Sequence, residues 1–105
     1  AAVAGGIRVL LEQRGVTADD IASVELAGGF GNYLSPESAV RIGMLPRACL
    51  SKIRPLGNAA LAGASMLALD GENWRKLAEI PEKCRYLELS GRDDFSRAFT
   101  DSLTF

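Results

Sequence analysis

The sequence predicts an α/β domain, because helical and strand-like apolar patterns alternate along the chain. The predicted order is α, β, α, β, α, α, β, α, with no internal repeat or low-complexity tract. Two glycine breaks follow the first two predicted strands, at Gly28 and at Gly57. Glycine is used where the backbone takes a positive φ or approaches another group closely, and it costs conformational entropy elsewhere. These two breaks are therefore the first candidates for a binding site.

Length and composition limit the functions that are open to the chain. With 105 residues, 48% of them apolar and 24% charged, it has the size and composition of one soluble globular domain. The net charge of −1 provides no basic surface for nucleic acid or anionic membrane, so neither is expected as a partner. No apolar run approaches the roughly 20 residues that cross a bilayer, and no signal peptide is visible. We therefore expect a cytoplasmic protein.

The absence of histidine and the low cysteine count narrow the chemistry further. Without histidine, the chain lacks the commonest general base and metal ligand. Cys49 and Cys84 form no C-x-x-C motif and are too few for an iron–sulfur or zinc site, so no metal is expected here. We expect both to be buried thiols in a reducing compartment, and a disulfide is the less favoured alternative.

The first predicted helix runs from Ala1 to Arg14 and stops at Gly15. Gly5 and Gly6 would each cost about 1 kcal/mol relative to alanine inside a helix, so we expect a close backbone crossing there. Alternatively, the helix begins only after them. The pattern starts at the first residue without a cap, which suggests a chain cut from a longer protein, although a frayed natural terminus would look similar.

Local signals place the elements around the first glycine break. Thr17 can cap a short turn that runs through Asp20, and residues 23–27 then have the alternation of a strand. Ser35 is a good N-cap, and the proline after it suits the first helical position, so a short helix is predicted to about Ile42.

The second glycine break follows a predicted strand at 53–56, in which Pro55 indicates an edge position or a very short strand. The next helix, 59–69, is apolar around its whole circumference. Such a helix is expected to be buried on all sides.

The C-terminal third is predicted to contain two helices and a third strand. Helical spacing begins at Trp74, and Pro81 should break or kink that helix near Ile80. Residues 85–89 alternate and predict the strand, and a last helix is expected after Asp93.

The glycine-rich stretch 28–32 is a weak nucleotide signal by itself. A strand that ends in glycines and feeds a helix is where α/β folds bind nucleotides. However, Leu34 stands where a G-x-G-x-x-G motif needs its third glycine, and no P-loop sequence exists. Glycines that serve only a tight turn and close packing are an equally good interpretation of this pattern.

Several stretches in combination closely resemble the C-terminal end of the reductive activators of corrinoid proteins. They are Val24 to Tyr33, Ser35 to Pro46, Gly57 to Ala64, Tyr86 to Ser90 and Phe95 to Phe105. Those activators belong to the acetate and sugar kinase, heat-shock chaperone and actin superfamily. The resemblance therefore implies the C-terminal segment of an actin-like ATPase domain with a ribonuclease-H-like core, with residues 1–105 as one domain fragment.

The resemblance also implies an activity for the longer parent protein. Typical members join an N-terminal [2Fe–2S] domain to a C-terminal ATPase domain, and use ATP to drive an electron onto an inactive Co(II) corrinoid. This restores the Co(I) state that accepts methyl groups. The implied cofactors are ATP with Mg²⁺ and the [2Fe–2S] cluster of the missing domain. The implied partner is a corrinoid protein or a corrinoid-dependent methyltransferase, and a homodimer is also open.

Candidate site residues follow from the resemblance. The stretch 26–29 looks like the superfamily's adenosine motif, and Gly57-Asn58 with its helix looks like the final glycine-alanine helix that packs behind that site. The implied nucleotide-binding residues are Gly28, Gly29, Phe30, Gly31, Asn32, Gly57 and Asn58. Asn32 and Asn58 are proposed to bond the ligand directly; turn residues that bond their own backbone are the alternative for each.

Other motifs of the superfamily are missing from this chain. Its phosphate-binding and magnesium-binding motifs lie upstream, and no Asp-x-Gly strand of that kind appears here. We therefore expect the fragment alone to be inactive, with no assigned catalytic residue and no cluster to carry an electron. Two alternatives remain: a related activator ATPase of radical dehydratases, and a non-catalytic docking or dimerisation module of the same fold.

Overall fold

The computed structural model describes residues 1–29 and 33–104, which form helices packed around a small parallel sheet. The elements are α1 (Ala2–Arg14), β1 (Val24–Ala27), α2 (Pro36–Arg41), β2 (Ile53–Gly57), α3 (Ala59–Leu69), α4 (Glu72–Lys83) and α5 (Asp93–Asp101). Short 3-10 helices lie before each strand, at Ala18–Asp20 and Arg47–Lys52. The predicted α/β class is confirmed.

The sheet consists, in the described residues, of β1 and β2 paired in parallel. The pairing ends with Ala27 opposite Gly57, and its register is irregular just after the Leu26–Pro55 pair. Pro55 has no N–H to donate to a ladder, which accounts for an interruption at this point. Because the strands are parallel, the two glycine breaks lie at one edge of the sheet.

The core lies between α2 and one face of this sheet. Its buried residues are Ala39, Val40 and Leu45, and the partly buried residues around them are Ile7, Val24, Leu26, Leu34, Met44 and Ile53. Apolar residues two apart on β1 therefore share the buried face, as strand alternation predicts. This packing holds the carboxyl ends of both strands in place.

Helix ends that were predicted from capping signals are confirmed. The Ser35 hydroxyl accepts a hydrogen bond from the Ser38 N–H at 3.2 Å, and Gly15 ends α1 in the left-handed conformation with φ 65°. The Thr17 N–H donates to the Asp20 carboxylate at 2.8 Å. Each of these signals is local, so it acts without the rest of the fold.

Helix α1 crosses α5 at Gly5, while Gly6 lies against the Leu89 side chain. A Cβ added at Gly5 would lie 3.2 Å from the Phe99 backbone nitrogen and 3.4 Å from the carbonyl carbon of Ala98. Both Gly5 and Gly6 are buried and lie within α1. The predicted backbone crossing is confirmed, and the alternative that the helix begins after them is wrong.

The third predicted strand, 85–89, is absent from the described residues. Leu87 and Leu89 are half-buried whereas Tyr86 and Glu88 are exposed, so the alternation itself is present. A strand also needs a neighbour for its backbone N–H and C=O groups, and the described part of the chain offers none. The alternating pattern of residues 85–89 therefore correctly predicted that one face is more buried than the other. Its prediction that the segment pairs with another strand was wrong.

Helix α4 continues through Pro81 to Lys83, so a break near Ile80 is wrong, whereas the alternative of a kink there stays a prediction. Pro81 stands in the last turn, where its ring and its missing N–H affect only one intrahelical hydrogen bond.

Helix α3 is not buried on all sides, contrary to prediction. None of its residues is buried, and Leu61 and Leu69 are 63% and 87% exposed. Contact with α4 covers it in part, including a hydrogen bond of 3.1 Å from the Trp74 indole N–H to the Leu67 carbonyl. The sequence pattern gives the amount of apolar surface on α3. How much of that surface is buried depends on the elements that pack against it.

Both cysteines are free thiols, as expected. Cys49 is buried, and its Sγ lies 3.8 Å from the Ala18 carbonyl oxygen. Cys84 is exposed, so the expectation of two buried thiols is wrong for this residue. It immediately follows α4, at the start of the extended segment that has no strand partner.

Candidate functional site

The two glycine breaks meet in space. The Gly28 N–H donates a hydrogen bond of 2.9 Å to the Gly57 carbonyl, directly past the last residue pair of the sheet. Gly28 and Gly57 both have positive φ, 92° and 67°, a conformation that side chains with a Cβ rarely adopt. We call Gly28, Gly29, Gly57 and Asn58 together the glycine edge.

No described residue fills the space outside the glycine edge. A Cβ added at Gly28, Gly29 or Gly57 would meet no described atom within 4 Å. Positive φ explains the first and the third of these glycines. Gly29 has neither a positive φ nor a close neighbour among the described residues, so local backbone geometry and packing do not account for it.

Asn58 caps the helix that starts at this edge. Its side-chain oxygen accepts a hydrogen bond from the Leu61 N–H at 3.0 Å. The interpretation of Asn58 as a residue that bonds its own backbone is confirmed for the oxygen, and this cap does not use the amide NH₂ group. The remaining predicted site residues, Phe30, Gly31 and Asn32, lie outside the described residues.

The start of α2 is already occupied by side chains of the chain itself. The Ser35 hydroxyl caps the helix and donates to the Glu37 carboxylate at 3.0 Å. Two hydrogen bonds to its carboxylate hold the pKa of Glu37 below its ordinary value of 4.5. The larger effect comes from the Glu37 backbone N–H and the smaller from the Ser35 hydroxyl. A carboxylate that stays ionised at this helix N-terminus repels a phosphate group, which would otherwise favour such a position.

The glycine edge offers hydrogen bonding and shape without acid–base chemistry. Its four residues carry backbone N–H and C=O groups and one amide, and none of them titrates. Residues 1–29 and 33–104 contain no group of three or more His, Cys, Asp or Glu that could hold a metal ion. Over the same residues, no helix is long and apolar enough to cross a membrane. The chemistry available at the edge is therefore hydrogen bonding and shape complementarity.

A separate groove of about 600 Å³ lies beside α1 and contains none of the predicted site residues. Apolar side chains such as Ile7, Leu10 and Ile21 line it, and Arg14 is its one charged lining residue in the described chain. We call it the α1 groove. Sequence patterns missed it because its lining comes from segments that are far apart in the chain.

Comparison with known proteins identifies the family. A family model described as the C-terminal domain of RACo, the ASKHA domain, matches residues 1–105. The corrinoid activation enzyme RamQ of Eubacterium limosum is 30% identical over 105 residues, which are 100% of this chain and 18% of that relative. The chain thus spans about a fifth of the length of this curated relative. It belongs to the family of RACo C-terminal ASKHA domains, found in the activators of corrinoid proteins.

Proposed function

We propose that the glycine edge holds the adenosine part of ATP in an ATP-dependent reductive activator of corrinoid proteins. The observation that carries this proposal is Gly29, which has no positive φ and no described atom within 4 Å of an added Cβ. A purine or ribose can approach backbone that carries no Cβ. Gly28 and Gly57, joined by their hydrogen bond, would fix the backbone on which the ligand rests.

In this proposal the chain binds and orients the nucleotide, and other parts of the longer protein carry out the reaction. The phosphates would point away from the N-terminus of α2, where Glu37 places a negative charge. The amide NH₂ group of Asn58, which the helix cap does not use, would donate to the ligand. Residues for Mg²⁺ and for the phosphates are then to be sought outside residues 1–105.

The longer protein would couple ATP hydrolysis to the transfer of one electron. A reduced [2Fe–2S] cluster outside this chain would be oxidised, and Co(II) in the corrinoid would be reduced to Co(I). The partner would be a corrinoid protein or a corrinoid-dependent methyltransferase in the cytoplasm. The corrinoid activation enzyme RamQ supports this partner class.

Calorimetric titration of the full-length protein with MgATP tests the proposal. The Gly29→Asp variant is expected to bind ATP at least tenfold more weakly, a loss of about 1.4 kcal/mol, because its side chain fills the open space. Gly71→Asp is the matched control. Gly71 also has no described atom within 4 Å of an added Cβ, and its φ of −61° is one that any residue adopts.

Unchanged ATP affinity in Gly29→Asp, with both variants folded, would refute the assignment of the pocket. If the unmodified full-length protein binds no ATP, the chain is better explained as a non-catalytic docking module.

A further inference from the structure

A second groove, of about 460 Å³, is surrounded by basic side chains. It lies between the last turn of α1 and the segment that leaves α4. Arg14, Lys83 and Arg85 supply three positive charges, and the exposed ring of Tyr86 lies among them. Its other lining residues, Leu10 and Leu87 among them, are uncharged. We call this the basic groove.

The positive charge of the basic groove is not neutralised within the described chain. No carboxylate lines it, although the whole sequence has 13 acidic and 12 basic residues. Ion pairs among the described residues involve Arg8, Arg75 and Arg92 and none of the three groove cations. A weakly acidic chain therefore carries a local excess of positive charge on this surface.

None of the carboxylates nearest in sequence lines the groove, although Glu88 is held beside it by Tyr86, a groove residue. Glu12 accepts a hydrogen bond of 3.2 Å from the Arg8 guanidinium. Glu88 accepts from the Tyr86 hydroxyl and from the Ser90 N–H. Glu82, next to Lys83 on α4, is exposed and does not line the groove.

The basic groove and the α1 groove share two lining residues. Leu10 and Arg14 line both, and Leu10 is 52% exposed. A ligand that lies across them would meet apolar surface on one side and three cations on the other. A simple anion would use only the charges, whereas a protein segment with apolar and acidic side chains would use both parts.

We propose that this combined surface docks an acidic segment of a partner protein, one that also carries apolar side chains. The proposal does not depend on nucleotide binding at the glycine edge, which contains none of these residues. Complementary charge would guide the partner in, and burial of Leu10 and Tyr86 would hold it.

Fluorescence anisotropy with the full-length protein tests this proposal. The probe is a short helical peptide with leucines on one face and glutamates on the other. Arg14→Glu combined with Arg85→Glu should weaken its binding by about tenfold or more, and Leu10→Ser should also weaken it. Arg85 lies outside every described helix, so the single variant Arg85→Glu should fold. It therefore keeps the test valid if the double variant does not fold.

Matched controls separate this docking site from general electrostatics. Arg41→Glu with Arg47→Glu makes the same charge change at exposed positions outside both grooves and should leave binding unchanged. The proposal is overturned if the two double variants behave alike, or if a peptide with lysine in place of glutamate binds equally well. It is also overturned if a DNA oligonucleotide or vesicles of anionic phospholipid bind the groove more tightly than the peptide does.

Discussion

Asp94 is a residue whose charge state is tied to the fold. The Arg92 guanidinium donates to both of its carboxylate oxygens, at 2.9 and 2.7 Å, and the Phe95 N–H donates to one of them at 2.8 Å. These bonds hold the pKa of Asp94 below its ordinary value of 3.8, and the hydrogen bond from Arg92 makes the largest contribution. The pair lies at the start of α5, where a negative charge also suits the helix dipole.

Acid should therefore weaken the fold through Asp94. Because its pKa is lower in the folded chain, the stabilisation is complete above the ordinary value of 3.8 and is lost as the pH falls through the folded value. Urea denaturation between neutral pH and pH of about 2 should show this loss. In Asp94→Asn, stability should be lower at neutral pH and should fall less on acidification; an unchanged pH dependence would contradict this role.

At single residues, the sequence identified the glycine breaks and could not distinguish their purposes. Gly28 and Gly57 turn the backbone, while Gly29 leaves space, and only φ values and neighbouring atoms separate the two cases. Asn58 was marked both as a ligand group and as a turn residue. The structure shows the helix cap, and the ligand role stays a prediction.

At the scale of elements, the helix caps and the crossing at Gly5 were predicted correctly, whereas the third strand, the burial of α3 and a break at Pro81 were not. Caps at Ser35 and Gly15 depend on atoms a few residues away, and both helix ends are confirmed. The strand at 85–89 and the burial of α3 depend on surfaces far away in the chain, which an alternating or all-apolar pattern cannot supply. The crossing at Gly5 was predictable because two glycines inside a helix destabilise it unless they allow a close contact.

The crossing of α1 and α5 should tolerate no side chain at Gly5. Gly5→Val would press against the backbone of Phe99, so we expect a loss of about 1–3 kcal/mol in the free energy of unfolding. Gly63→Val is the control, because Gly63 lies within α3 with no described atom within 4 Å of an added Cβ. Urea denaturation compares the two variants, and equal stabilities would contradict the close crossing.

At the scale of the whole molecule, the chain has a larger solvent-accessible surface than a compact monomer of the same mass. Its accessible area is 8059 Å², against about 5,700 Å² for a compact monomer of 11.2 kDa. The radius of gyration is 16.0 Å, where about 13 Å is typical of this length. Exposed apolar side chains contribute to this area, including those of α3 and α4. The amino-acid composition did not predict this large exposed surface, because it is the composition of an ordinary globular domain.

The isolated chain should consequently self-associate. Met66 and Leu69 on α3 are 58% and 87% exposed, and pairing such faces removes apolar area from water. Sedimentation velocity should show a mass that rises with concentration, and less so in Met66→Lys with Leu69→Lys. Lysines at Ser96 and Thr100, polar positions on α5, are the control for added charge. A monomer at all concentrations would contradict this expectation.

Photoaffinity labelling of the full-length protein with 8-azido-ATP tests most directly whether the glycine edge holds adenosine. We predict that the label is attached to peptides from residues 24–42 or 53–64, and that Gly29→Asp abolishes this labelling while Gly71→Asp does not. Label found entirely outside residues 1–105, or unaffected by Gly29→Asp, would contradict a nucleotide site at the glycine edge.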